Sequence, residues 1–156
     1  MSVVAWRIIQ RKFAKVAFTG EGARRFGGRW TSPGHAVVYA AESLALAALE
    51  ILVHVDTDKL LQHYVAISVT INRYLITQVH EPALPNDWRA YPSSKATRTI
   101  GDEWVSHGAS VVLQVPSAVI PTEYNFLLNP LHKDFAKLHI GKALQSRFDP
   151  RLSAGP

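Results

Sequence analysis

Along this chain of 156 residues, apolar positions fall in short runs separated by polar and glycine-rich stretches. Residues 2–9 are an apolar run that reads as a strand ending near Arg7. Residues 36–40 make a second short apolar strand, and 64–71, which alternates, a third. Residues 111–115 are another strand, stopped by Pro116, and 138–148 read as a closing one. Ser43 is placed to cap a helix running from Leu44 to about Val55, and a second helix is expected at 99–107. Residues 19–34 hold five of the nine glycines and read as a loop. Residues 80–98, rich in Pro, Asn, Asp and Ser, read as a long surface connection. Strands outnumber helices and the order is irregular. That pattern predicts an α+β (mixed α/β) fold with a central β core and flanking helices, and argues against a doubly wound sheet.

Length and composition narrow this to one domain over residues 1–156, long enough to bury a core without staples. The absence of cysteine removes disulfides, Cys-ligated zinc, iron–sulfur clusters and thiol nucleophiles together. The longest nearly apolar stretch, 44–53, is interrupted by Glu50 and falls far short of the ~20 residues a membrane span needs. The N-terminus lacks the charged and apolar regions of a signal peptide, so a cytoplasmic location without membrane association is expected.

Charge changes the picture in one place. Arg7, Arg11, Lys12, Lys15, Arg24, Arg25 and Arg29 stand against Glu21 alone, so this segment carries +6 of a chain whose net charge is +5. Such a block is either a solvated surface or a site for an anionic partner: nucleic acid, a phosphorylated small molecule or an acidic protein.

Candidate chemistry centres on Glu50. Its helix reads as apolar all round and therefore buried, and its neighbours Leu46, Ala47 and Val53 are all apolar. A carboxylate there needs a partner. It is either half of an ion pair with an arginine of the basic loop or a group at the floor of a cleft. The preceding loop ends in Gly27-Gly28-Arg29, where the glycines allow close backbone approach and the guanidinium suits phosphate or carboxylate. This is neither a dinucleotide-binding fingerprint nor a Walker loop. Seven histidines form no HExxH or HxxxH pair, so no metal site is expected. No GxSxG elbow marks a serine hydrolase. The aromatic residues sit mostly in apolar runs and read as core rather than as RNA-stacking platforms. Past the strand end at Pro116, Ser117 is followed by a proline-bounded run carrying Glu123, Asn125 and Asn129.

Taken in order, 27–34 (GGRWTSPG), 37–43 (VVYAAES), 48–54 (ALEILVH), 115–118 (VPSA) and 125–130 (NFLLNP) resemble the RES domain, a family named for an arginine, a glutamate and a serine. The resemblance runs from Trp6 to Leu152, with Lys133 as a departure where proline is expected. It implies an ADP-ribosyltransferase-like fold and a toxin of a bacterial toxin–antitoxin pair that breaks the nicotinamide–ribose bond of NAD. Hydrolysis, phosphorolysis and transfer of ADP-ribose to a protein are the outcomes it allows. It implies Arg29, Glu50 and Ser117 as catalytic residues, with Arg7, Tyr39 and Asn125 binding substrate. It further implies an Xre-type antitoxin with a helix-turn-helix, through which DNA is met only indirectly, and it leaves a homodimer open. Two other classes stand beside it: a nucleic-acid-binding module using the Arg7–Arg29 segment, and an inactive interaction protein in which Arg29 and Glu50 are a buried ion pair.

Overall fold

The computed structural model describes residues 1–56, 59–60 and 62–153. Among them, eight strands form one sheet: β1 (Ser2–Gln10), β2 (Val38–Ala41), β3 (Tyr64–Asn72), β4 (Ile76–Gln78), β5 (Val112–Pro116), β6 (Tyr124–Leu128), β7 (His139–Ile140) and β8 (Leu144–Ser146). Their order is β4-β5-β6-β2-β1-β3-β7, with β8 also on β3. Every pairing is antiparallel except β4 with β5. Three α-helices accompany the sheet: α1 (Glu21–Phe26), α2 (Leu44–Leu52) and α3 (Lys95–His107). The mixed α+β expectation holds.

Alternation explains the core. In β3, Tyr64 and Ala66 point to the side where α2 lays Leu46 and Ala47, while Val65 and Ile67 meet Ala17 and its neighbours on the other. A strand covered on both faces is apolar at nearly every position. The β1–β3 ladder runs in register from Ser2↔Asn72 to Gln10↔Tyr64. By contrast, β1 and β2 share only the pair Trp6↔Ala41. The sheet is therefore continuous but split along that seam, which opens the space for a site.

Several local expectations change. Helix α2 is capped as expected, the Ser43 hydroxyl accepting from the Leu46 amide at 3.0 Å, but it ends at Leu52. It is not buried all round: Leu46 and Ala47 are buried, whereas Leu44 and Leu49 are exposed. The glycine-rich 19–34 segment contains α1, begun after Gly20 at φ +74° and closed at Gly27 at φ +71°. Helix α3 starts at Lys95, where the Ser94 hydroxyl accepts from the Thr97 amide, so the surface connection is shorter than 80–98. The closing strand is two short strands, β7 and β8, parted where Gly141 donates its amide to the Ser68 carbonyl. Strand β6 was not foreseen, because its polar start and flanking prolines hide a short buried run (Phe126, Leu127, Leu128).

Helix α3 closes over the loop before β2 through Gly101. A Cβ there would stand 1.9 Å from the Trp30 carbonyl oxygen, so only glycine fits without backbone movement. Gly101→Ala is expected to cost about 1–3 kcal/mol through overpacking, despite alanine's better helix propensity. A urea unfolding curve checks it: the midpoint should fall, and a raised midpoint would show that the helix can shift freely.

Candidate active site

The β1–β2 seam opens into a cavity of about 370 Å³, walled by Trp6, Phe13 and Tyr64 and reached by the polar groups of Arg7, Glu50 and Asn125. Arg7 leaves β1 and crosses the seam, donating from Nη1 to the Tyr39 carbonyl of β2 at 3.0 Å. It thus serves a strand edge that β1 does not pair. Its Nε is sealed from solvent and has no hydrogen-bond partner among the described residues. Burial lowers its pKa from 12.5 to about 10, so it stays a cation at neutral pH.

Glu50, on α2, is half-buried and lines the same cavity. Its Oε1 accepts from the Ser117 hydroxyl at 2.8 Å and from the Asn125 amide at 2.8 Å. No ion pair to Glu50 occurs among the described residues, and Oε2 takes no hydrogen bond there. The ion pair with a basic-loop arginine, considered from the sequence, is therefore not formed. Ser117 is fully buried just past β5. Its Oγ also accepts from the Val119 and Ile120 amides, both at 3.1 Å, so the turn after the strand fixes the hydroxyl and leaves its proton for Glu50. Asn125 sits in β6 opposite Ala41 and Val115. With Nδ2 spent on Glu50, its Oδ1 is buried and unpartnered among the described residues. Just beyond β2, Glu42 and Tyr124 exchange hydrogen bonds of 3.0 Å, pinning the start of β6.

Tyr39 lines the cavity from β2. Its hydroxyl shares a 2.8 Å hydrogen bond with Thr31. Gly28 lies so close that a Cβ there would stand 2.5 Å from that hydroxyl, which accounts for the second glycine of the loop. Burial pushes the phenol up from 10.0 to about 12.

Arg29 is bonded to a different loop, although its charge reaches the Tyr39 hydroxyl and favours the ionised phenol. It does not line the cavity; its Nη1 donates to the carbonyls of Trp88 at 3.0 Å and Ala90 at 2.7 Å. Arg24 and Arg25 both bond Glu21 within α1, holding that carboxyl down at about 2. Four of the seven bases in the segment are thus engaged inside the fold or its own helix. The structure brings together Arg7, Tyr39, Glu50, Ser117 and Asn125 and sets Arg29 apart. Trp6, Phe13, His54 and Tyr64 also line the cavity. The aromatics read as core in the sequence, and His54 enters there only as the last residue of the 48–54 segment that carries the family resemblance. Among the described residues no three His, Asp or Glu side chains gather as a metal-binding group. No helix among them is long and apolar enough to cross a membrane.

A family model described as RES domain matches residues 4–149. "Toxin Res" of Yersinia enterocolitica is 39% identical over 151 residues, covering 96% of this chain and 99% of that protein. "Prs ADP-ribosylating toxin" of a Sphingobium species is 36% identical over 166 residues, covering 97% and 98%. A chain of the M. tuberculosis MbcT–MbcA toxin–antitoxin complex superimposes with a TM-score of 0.78 over 98% of this chain and 87% of its own, at 19% identity, a likeness of fold.

The Tyr39 environment makes a pH prediction. Because the phenol ionises at about 12 when folded and near 10 when unfolded, its contribution to stability is fully present below pH 10 and is lost as pH rises toward 12. The stability difference between the wild type and Tyr39→Phe should be constant up to about pH 9 and then shrink by roughly 2–3 kcal/mol. Urea unfolding at stepped pH measures it, and a difference that stays flat through pH 11 would place the hydroxyl in water.

Proposed function

The chain belongs to the RES domain family, and on that premise we propose that it is the toxin of a bacterial toxin–antitoxin pair that cleaves the nicotinamide–ribose bond of NAD. The observation that carries this reading is a carboxylate, Glu50, presented in a cavity by two neutral donors and, among the described residues, with no ion pair and with one oxygen left unbonded.

The chemistry follows from the bond that breaks. The pair of electrons between C1′ of the ribose and the pyridinium nitrogen leaves with nicotinamide, which departs neutral. Positive charge develops on the ribose in an oxocarbenium-like transition state, the need shared with glycoside cleavage. Glu50 Oε2 supplies the opposing charge, and the two bonds to Oε1 keep the carboxylate in place, so little reorganisation accompanies the reaction. Since the leaving group is good, no strong general acid is required. Arg7 offers its cation and an unpaired Nε–H to the diphosphate or ribose side of the substrate. Asn125 Oδ1 offers an unpaired acceptor to a hydroxyl or amide donor. Tyr39 and Trp6 supply aromatic surface for the pyridinium ring. Water as acceptor gives ADP-ribose and a proton; inorganic phosphate gives ADP-ribose-1″-phosphate.

A second reading, transfer of ADP-ribose to a protein, is favoured by the name of the Sphingobium relative. The MbcT–MbcA likeness and the Toxin Res relatives support an antitoxin as partner, and an Xre-type, helix-turn-helix protein is the kind that the family resemblance implies. The nucleic-acid reading is weakened, because Arg7 and Arg29 are bonded to main-chain carbonyls within the fold and Arg24 and Arg25 share Glu21.

Incubating the antitoxin-free protein with NAD, with and without phosphate, tests the proposal. Free nicotinamide should appear, with ADP-ribose if water is the acceptor and ADP-ribose-1″-phosphate if phosphate is. Intact NAD in the presence of well-folded protein and a cell extract offering protein acceptors would overturn it.

A further inference from the structure

The residue that gives the family its first letter stands outside the cavity, and its hydrogen bonds indicate what it does there. Both bonds from Arg29 come from one nitrogen, Nη1, and both go to main-chain carbonyls of one loop, those of Trp88 and Ala90. The loop is seated from below by the Trp88 indole, which stacks on Trp30 at 6.0 Å between ring centres and belongs to the core cluster around Trp30 and Trp104. Its outer face has little else: Arg89, Ala90 and Tyr91 are exposed. A pair of contacts nevertheless reaches from this face to the site. The Arg89 guanidinium donates from Nε to the Ala118 carbonyl at 3.1 Å. The Tyr91 ring lies 6.2 Å from that of His54, a residue of the cavity wall.

Ala118 follows Ser117, and the next two amides, Val119 and Ile120, are the ones that hold the Ser117 hydroxyl. A path of hydrogen bonds joined by short main-chain links thus runs from Arg29 through the Trp88 and Ala90 carbonyls, Arg89 and Ala118 to Ser117 and on to Glu50 Oε1. We infer that Arg29 is a positioning residue: it latches the 88–90 loop so that Arg89 can clamp the turn after β5, and it acts on Glu50 through Ser117 rather than by touching the substrate. This inference rests on the NAD-cleaving reading for its kinetic consequence and on geometry alone for its structural one.

The two roles open to Arg29 separate in experiment. A guanidinium that grips a diphosphate uses its planar fork, which lysine cannot reproduce. A latch made by one nitrogen to two carbonyls can be rebuilt by an ammonium. The measurement is hydrogen exchange at the Val119 and Ile120 amides together with kcat and KM for NAD, in Arg29→Ala, Arg29→Lys, Arg89→Ala and the Arg29→Ala/Arg89→Ala double variant. The latch predicts faster exchange at both amides in Arg29→Ala and in Arg89→Ala, with lysine restoring the slow exchange. Displacing Ser117 should lower kcat on the order of 10- to 100-fold with KM little changed, and the double variant should be no worse than the single ones. The inference is overturned if exchange at Val119 and Ile120 is unaltered in folded Arg29→Ala. A loss confined to KM that adds in full to that of Arg89→Ala would overturn it equally. Should Arg29→Ala fail to fold, wild-type exchange in Arg89→Ala would decide against it. If the wild type releases no nicotinamide, the NAD reading fails while the exchange results still judge the latch.

Discussion

One carboxylate oxygen joins three separate segments of the chain. Glu50 Oε1 takes the Ser117 hydroxyl from the turn after β5 and the Asn125 amide from β6, while its own backbone belongs to α2. Hydrogen bonds to a charged acceptor contribute about 1.5–3 kcal/mol each, and a buried donor left unmade costs a similar amount. The helix, the turn and the strand are therefore held to one another by the same group that faces the cavity. Because both donors are neutral, the negative charge is oriented without being cancelled. An arginine in the same place would have stabilised the fold and extinguished the charge that the proposed chemistry needs.

The rest of the site arranges itself around the split in the sheet. Where β1 and β2 share a single pair, main-chain groups lack their usual ladder, and Arg7 meets one of them at the Tyr39 carbonyl. The cation lines the same cavity as the carboxylate, and among the described residues the two are not bonded to each other. Among the described residues, two polar side-chain atoms, Arg7 Nε and Asn125 Oδ1, are left buried without partners. Buried unpaired donors and acceptors are rare and costly, and their clustering at one cavity is a sign of a ligand that completes them. One donor and one acceptor, a free carboxylate oxygen and aromatic walls suit a molecule with hydroxyls, a diphosphate and a cationic ring.

The legible features of this architecture are those set by local sequence. Ser43 announces α2, alternation announces β3, and the run before Arg7 announces β1. Glu50 stood out because an ionisable residue in an apolar helix demands an explanation. Its partners were hidden, since Ser117 lies 67 and Asn125 75 residues away and no periodicity links them; only the resemblance to a known family joined the three. The same distance concealed the hold of Arg29 on the 88–90 loop, 59 and 61 residues further along. Helix α1 was missed because glycines at both of its ends made the whole segment look like loop. The exposed outer face of α2 was misread as buried, since nine residues of nearly uniform apolarity carry no signal of which side meets the sheet.

The proposed chemistry depends on the charge of Glu50, and substituting Glu50→Gln isolates it. The glutamine carbonyl oxygen can still accept from Ser117 and Asn125, so the clasp and the fold should survive, as circular dichroism and the unfolding midpoint will report. Nicotinamide release from NAD by this folded variant should fall by at least about 100-fold relative to wild type. A folded Glu50→Gln protein that releases nicotinamide at the wild-type rate would reduce Glu50 to a structural clasp and contradict the proposed role of its charge.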